Sequence, residues 1–186
     1  MKELGFHDTV VITPWQSMWE DKFKKEKNII EASLNECGLI GQILHVGSTS
    51  IQGMPSKPII DILMLVDDSQ AFEPYIEALC RSDYHYLGEC GRPGRHFFSK
   101  GDLPNNSFYL HLCYQDNQVA RDQLLFQKIE RNDTTVFSNY MNMKYIAAAA
   151  FSEDRNMYRV LKGTFIDTVL HLYRDMNPAF EDGEEV

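Results

Sequence analysis

The sequence predicts an α+β fold, a mixed β-sheet with flanking helices followed by a helical C-terminal part. Three observations carry that expectation. Up to residue 118 the chain holds short apolar runs with strand-like length and β-branched content, separated by Gly, Pro and Asn. From residue 119 onward the apolar residues recur at helical spacing. Residues 58–66, "PIIDILMLV", are apolar on both parities, the pattern of a strand covered on both faces.

Each element has its own signal. Residues 14–37 read as a helix opened by Pro14, with a stripe of Trp15, Met18, Trp19, Phe23, Ile30 and Leu34 and with Gly38 suited to the C-terminal cap. Strands are expected over 41–46 and 58–66, and a helix over 69–81 with Ser69 as its N-cap. Two further strand runs, 95–100 and 107–114, flank a loop that contains Asn105-Asn106, which suggests an antiparallel pair. Helices are expected over 119–131, 133–151 and 154–175, and the acidic tail "FEDGEEV" is expected to fray. No repeat or linker divides the chain, so one domain over 1–186 is expected, its sheet part ending near 118 and its helical part near 176.

At 186 residues such a domain can bury its own core without metal or disulfide staples. Its 44% hydrophobic and 12% aromatic content is that of a soluble globular protein. A net charge of −9 argues against a broad nucleic-acid-binding surface, although 18 Lys and Arg leave room for a local basic pocket. Cys37, Cys80, Cys90 and Cys113 form no C-x-x-C pair, which argues against a cysteine zinc site and fits a reducing compartment. The start "MKELGFHDTV" lacks an apolar signal core and no run approaches membrane-spanning length. The expectation is a cytoplasmic protein with neither membrane nor nucleic acid as partner.

The chemistry centres on "HVGSTSIQGMPSKPIID", residues 45–61. Asp61 stands inside an apolar strand, where an ionised carboxylate is costly unless cations or donors meet it. One reading is a carboxylate that caps a neighbouring loop. The other is functional: Gly47 permits close backbone approach, Ser48, Thr49 and Ser50 supply hydroxyls, and such a turn suits phosphate oxygens. Asp61 would then hold a divalent ion on the same phosphates, with Lys57 adding charge at the rim.

This order of strand, Gly-Ser, spacer and Asp-bearing strand resembles the opening motif of the nucleotidyltransferase superfamily, and the 45–61 block resembles the GrpB family within it. The resemblance continues through Pro14-Trp15, "GRPGRHFFSKG" at 91–101, "FYLHLCY" at 108–114, "LLFQKIERNDTTVFSNYMNMKYIAA" and "YRVLKGTFID", and so covers nearly the whole chain. It implies a nucleotidyltransferase-like fold but not a settled substrate. The chain departs from the superfamily pattern at Leu63, where a second metal-binding acid would stand; Asp67-Asp68 lie beyond the strand and belong to the following turn.

Other candidates surround this block. On 108–114, Tyr109, His111 and Cys113 share a face, and adjacent strands would bring His111 to Asp61 as metal ligand or general base, or leave it hydrogen-bonded within the sheet. The resemblance also places a histidine here. His45 could orient the Gly-Ser loop. Arg95 shares parity with Phe97 and Ser99 and suits bidentate phosphate or carboxylate binding, or a surface salt bridge; Lys100, of opposite parity, is read as a surface salt bridge. Lys144 interrupts the stripe Phe137, Met141, Ala148, Phe151, and Lys162 lines up with Tyr158, Phe165 and Val169. Each lysine could snorkel, but two on successive helices favour a shared anion; Tyr140 and Tyr158 are aromatic wall or core.

The leading functional expectation is metal-dependent nucleotidyl transfer from a nucleoside triphosphate to a small acceptor. Asp61 and His111 would bind Mg²⁺ or Mn²⁺, and Gly47, Ser48, Thr49, Lys57, Arg95, Lys144 and Lys162 would bind the nucleotide phosphates. A non-catalytic module for a nucleotide or phosphorylated metabolite, and a metal-assisted phosphohydrolase with His111 as base, remain open beside it.

Overall fold

A computed structural model describes residues 9–102 and 105–177. Helix α1 spans Met18–Glu36, starting later than predicted because Pro14 lies in the segment ahead of it. Its end closes as Gly38 predicts. With φ at +67°, Gly38 donates to the Asn35 carbonyl and Leu39 to the Leu34 carbonyl, satisfying two end carbonyls.

Strands β1 (Gln42–Val46) and β2 (Ile60–Val66) pair antiparallel, joined by a 3-10 turn, Ser48–Ser50, and a loop pinned to the N-terminal segment at Thr13–Ser56. Helix α2 covers Glu73–Arg81 and not 69–81. Ser69 caps nothing: its amide and hydroxyl both donate to the Asp67 carboxylate, closing a turn, and the helix begins instead with Pro74 in its first turn. The short edge strand β3, His85–Tyr86, has no strand-length apolar run to announce it.

Strands β4 (His96–Asp102) and β5 (Asn105–Tyr114) form the expected antiparallel pair. Asn105 and Asn106 are not in its loop; they already pair with Asp102 and Gly101, and the loop, 103–104, lies outside the described residues. So do the first eight residues and the acidic tail, with the expectations attached to them. Helices α3 (Gln118–Asn132), α4 (Thr134–Ala150) and α5 (Arg155–Met176) fall where the periodicity puts them. Each starts on a side-chain cap, Asn117, Asp133 or Asp154, that accepts from amides of the first turn.

The five-stranded sheet has the order β1-β2-β5-β4-β3, with β2 and β5 parallel and every other pair antiparallel, so it is mixed as predicted. Apolar residues on both parities of β2 have two partners. Ile60, Ile62 and Met64 pack under α1 and α2 with Trp19, Ile30 and Leu79, while Leu63 and Leu65 pack with Cys113 and with Ala120 of α3. Helices α3, α4 and α5 build a second core onto Ile51 and Met54 of the loop after β1, which fixes that loop against the helical part. Among the described residues no helix is long and apolar enough to cross a membrane.

Lys100 does form an ion pair, but a buried one. It lies on the α1 face, 2.8 Å from Glu26, whose side chain is only 5% exposed. Lys100→Met should therefore cost about 3 kcal/mol in urea unfolding, because it strands a buried carboxylate, and adding Glu26→Leu should return most of the loss.

Candidate functional site

The face of the sheet opposite α1 and α2 carries the site, and its register can be read in rows. Val46, Asp61, Tyr109 and Ser99 lie side by side across β1, β2, β5 and β4; Leu44, Leu63, His111 and Phe97 form the next row. Asp61 and His111 are thus diagonal neighbours on adjacent parallel strands, with Nε2 of the imidazole 4.0 Å from Oδ1 of the carboxylate. That is beyond hydrogen-bond reach. Tyr109 packs against Phe97 and accepts a hydrogen bond at its phenol from Arg155 of α5, 2.9 Å away.

Gly47 comes directly after the residue paired with Asp61, and its identity follows from that place. Its φ is +71°, and a Cβ there would sit 2.6 Å from Oδ2 of Asp61. Only glycine lets the backbone press flush against the carboxylate. The rest of the turn is held from several sides. Thr49 bonds His45 through its hydroxyl at 3.0 Å and Trp15 through its carbonyl at 3.2 Å. Ser50 donates to the Gly47 carbonyl and accepts from Gln127. His45 stacks on Phe23, and burial lowers its pKa to about 4, so it is a neutral partner orienting the loop. Ser48 is buried against the Tyr140 hydroxyl.

Around Asp61 the charge is almost all positive. Lys144 is 1% exposed, its Nζ 4.9 Å above the Tyr140 ring and without a hydrogen-bond partner among the described residues. Burial and the charge of Lys162 bring its pKa down to about 7. Lys57, over the Tyr158 ring, is lowered to about 7 by burial, with Arg155 and Lys162 adding to the effect. Burial pushes the Asp61 carboxyl up, but His111, Lys162 and Lys57 together outweigh it and hold it below the usual carboxylate range. His111 goes the other way: burial lowers it more than Asp61 raises it, with Arg95 and Arg92 also lowering it, so the ring is neutral near pH 7. Glu130 of α3 is buried beside Lys144, and burial raises its pKa to about 7.

Arg95 belongs to the same face. Its guanidinium stacks 4.8 Å over Phe97, is held by the carbonyls of Glu89 and Cys90, and places Nη1 3.5 Å from Nδ1 of His111. A guanidinium only donates, so Nδ1 accepts and the ring proton sits on Nε2, toward Asp61. Among the described residues none of Lys57, Arg95, Lys144 and Lys162 has an ion-pair partner.

The structure therefore brings Gly47, Ser48, Lys57, Asp61, Arg95, His111, Lys144 and Lys162 around one end of β2, while the Thr49 hydroxyl is turned to His45. On α4 the buried row is Tyr140, Lys144 and Ala147, which puts Tyr140 in the core beside the lysine. Sequence reasoning missed Arg155 and Arg159, whose charges reach Lys57, and the buried Glu130. The two arginines were detectable, since 155, 159 and 162 fall on one helical stripe. Glu130 was not, because nothing local distinguishes it from a surface acid on an amphipathic helix.

A family profile described as GrpB protein matches residues 9–172. The chain belongs to the GrpB family. Among GrpB-family relatives it is similar to the glutamate-rich protein GrpB of Alkalihalophilus pseudofirmus, at 28% identity over 87% of this chain and 94% of the relative. It is also similar to the UPF0157 protein YqkA of Bacillus subtilis, at 31% identity over 86% of this chain. The chain spans less than half of YqkA, 46% of its length. The crystal structure of conserved protein GrpB from Enterococcus faecalis matches with a TM-score of 0.75 at 26% identity, over 88% of this chain and 99% of that one. A chain of the GLD-2/RNP-8 complex matches at 0.56 with 11% identity, over 87% of this chain and 61% of that one. Cid1, described for its RNA terminal uridylyl transferase activity, matches at 0.51 with 15% identity, over 73% and 42%. Likeness at that identity shows the fold alone, and the fold of this GrpB-family chain is nucleotidyltransferase-like.

Gly47→Ala should lose about 1–3 kcal/mol from the backbone alone, because φ +71° with ψ −178° is a region essentially confined to glycine, plus a clash term. Adding Asp61→Ala should return the clash term only, which a double-mutant cycle of urea unfolding separates. The shifted groups also set a pH profile. Glu130, raised from an unfolded value of about 4.3, binds more protons folded than unfolded, so its contribution falls as pH rises to about 7. Lys57 and Lys144, lowered from about 10.4, bind fewer protons folded, so theirs rises from about pH 7 toward 10. Glu130→Gln should flatten the acid limb of stability against pH, and Lys144→Met the alkaline limb.

Proposed function

We propose that this protein binds a nucleoside triphosphate between the sheet and the C-terminal helices and transfers its nucleotidyl group to a small acceptor, using Mg²⁺ or Mn²⁺ at Asp61. The observation that supports it is the charge balance. Lys57, Lys144 and Lys162 converge on Asp61, and Lys144, with Glu130 buried nearby, has neither an ion-pair nor a hydrogen-bond partner among the described residues. A polyphosphate satisfies such a set, because its oxygens accept charge-assisted bonds from each ammonium.

The residues at Asp61 fit an ion delivered on the phosphates. Among the described residues no group of three His, Cys, Asp or Glu side chains could hold an ion alone. Mg²⁺ commonly uses one or two carboxylates plus substrate phosphates, so Asp61 is sufficient in that setting. When bound, the ion draws charge from the phosphate oxygens. The chain does the rest. The Gly47–Ser48 turn takes phosphate oxygens at its backbone, the lysines neutralise the tail, and Nε2–H of His111 donates toward Asp61 or a phosphate oxygen. In this reading His111 is a donor and not a ligand or base, since Arg95 occupies Nδ1.

Leu63 favours a second reading, binding without transfer. The position of a second acid is filled by a fully buried leucine packed with Val46, Leu65, Cys113 and Ala120. A thermal-shift screen of nucleoside triphosphates with and without Mn²⁺, paired with a pyrophosphate-release assay, separates the two. Transfer predicts metal-dependent stabilisation, abolished by Asp61→Ala, and pyrophosphate release once an acceptor is present. Metal-independent stabilisation that survives Asp61→Ala would sink it in favour of the binding reading. Lys144→Met should weaken triphosphate binding by about tenfold or more under either, the loss of one charge-assisted bond.

A further inference from the structure

The lysines are only half of the positive charge at this site. On the far side of His111 stands a second set built around Arg95. Its side chain is 8% exposed, its Nε has no hydrogen-bond partner, and no acid pairs with it among the described residues. Backbone carbonyls and the Phe97 ring fix the guanidinium in place. Two exposed arginines flank it: Arg92 acts on both Arg95 and His111, and Arg159 on both Arg95 and Lys57. Burying an arginine without an anion is costly, and this one meets the Asp61–His111 pair at Nδ1 of the imidazole, the nitrogen turned away from Asp61.

We propose that the acceptor is itself an anion, a carboxylate or a phosphate monoester, held by Arg95 with Arg92 and Arg159 on the His111 side of Asp61. This rests on the nucleotidyl-transfer reading above and names its second substrate by class. Nη2 of Arg95 is taken by the Glu89 and Cys90 carbonyls and one Nη1 hydrogen faces His111. Arg95 therefore contributes its charge and its remaining N–H groups, while the exposed guanidinium forks of Arg92 and Arg159 match either anion bidentately. An anionic acceptor also removes the difficulty posed by Leu63. A hydroxyl acceptor needs its proton taken, and the usual two-ion arrangement activates it with a second acid's help; here Leu63 fills the place of that acid on β2, and Arg95 meets Nδ1 of His111. An ionised oxygen needs neither second acid nor base. It attacks the α-phosphorus and forms a new P–O bond. The bond from that phosphorus to the oxygen bridging the β-phosphate breaks, and the electron pair leaves with pyrophosphate. No proton moves. The product is a mixed anhydride, an acyl nucleotide from a carboxylate or a phosphoanhydride from a monoester.

The test uses the full chain with Mn²⁺ and an α,β-methylene triphosphate analogue at saturation, titrated with inorganic phosphate or acetate and followed by calorimetry. At least one of the two should bind on top of the analogue, and the one that does indicates which class the acceptor belongs to. Arg95→Gln should weaken that second binding by about tenfold or more, the loss of a charge-assisted pair, and should affect it far more than the analogue. Arg159→Gln, an exposed change that spares the core, should weaken it in the same direction. If the analogue binds but neither anion adds, or if they only displace it, the acceptor assignment is overturned while triphosphate binding stands. If the analogue itself fails to bind, the polyphosphate reading falls and takes this one with it.

Discussion

The contact between Gly47 and the Asp61 carboxylate is the constraint on which the rest of the site depends. It ties the end of β1 to the start of β2 at a separation that admits no side chain. With the carboxylate fixed there, every neighbouring element must supply positive charge or donors, because an ionised group in an apolar strand is otherwise too costly to bury. The chain supplies them from the loop before β2, from β5, and from α4 and α5. The Gly-Ser turn is held from the segment before α1 by Trp15, from β1 by His45 and from α3 by Gln127.

The same arrangement stores electrostatic cost. Lys57, Arg95, Lys144 and Lys162 stand near Asp61 and Glu130 without an ion pair among the described residues, and burial, with the neighbouring cations adding to it, brings Lys57 and Lys144 down to about 7. A protein selected only for stability would replace Lys144 by an apolar residue of similar length, as buried charges are often neutral or unfavourable relative to packed hydrophobes. Lys144 sits instead next to Tyr140 and Glu130, and both it and Glu130 titrate at about 7, so the cost of burying them is greatest near neutral pH.

The fold and the chemistry point to unequal conclusions. Nucleotidyltransferase-like architecture is shown by the likeness to Cid1 and to a chain of the GLD-2/RNP-8 complex. Yet the face of β2 that would carry two acids carries Asp61 and then Leu63, and from Leu63 onward it is sealed by α3. The working part of the face is thus confined to its end nearest the Gly-Ser loop. One fold of this kind can host many functions, so the function must be argued from the site and not from the architecture.

Much of this was legible in the linear chain. The period of the apolar residues located α3, α4 and α5 closely, Gly38 marked the end of α1, and two-sided apolarity of 60–66 announced a covered strand, because these are local properties of the backbone and of burial. Ser69 and Asn105-Asn106 misled for a related reason: a residue suited to a cap or turn can serve another bond, and only the neighbours decide which. That Asp61 is anomalous, and that Lys144 interrupts an apolar row, were likewise visible, since each breaks the pattern of its own element. Tertiary structure alone decided that β2 and β5 are parallel neighbours, so that Asp61 meets His111 diagonally, that Glu130 is buried beside Lys144, and that Lys100 turns to Glu26. Those facts depend on which elements pack together across long stretches of chain, and no local pattern of residues encodes the charge that a distant helix will bring.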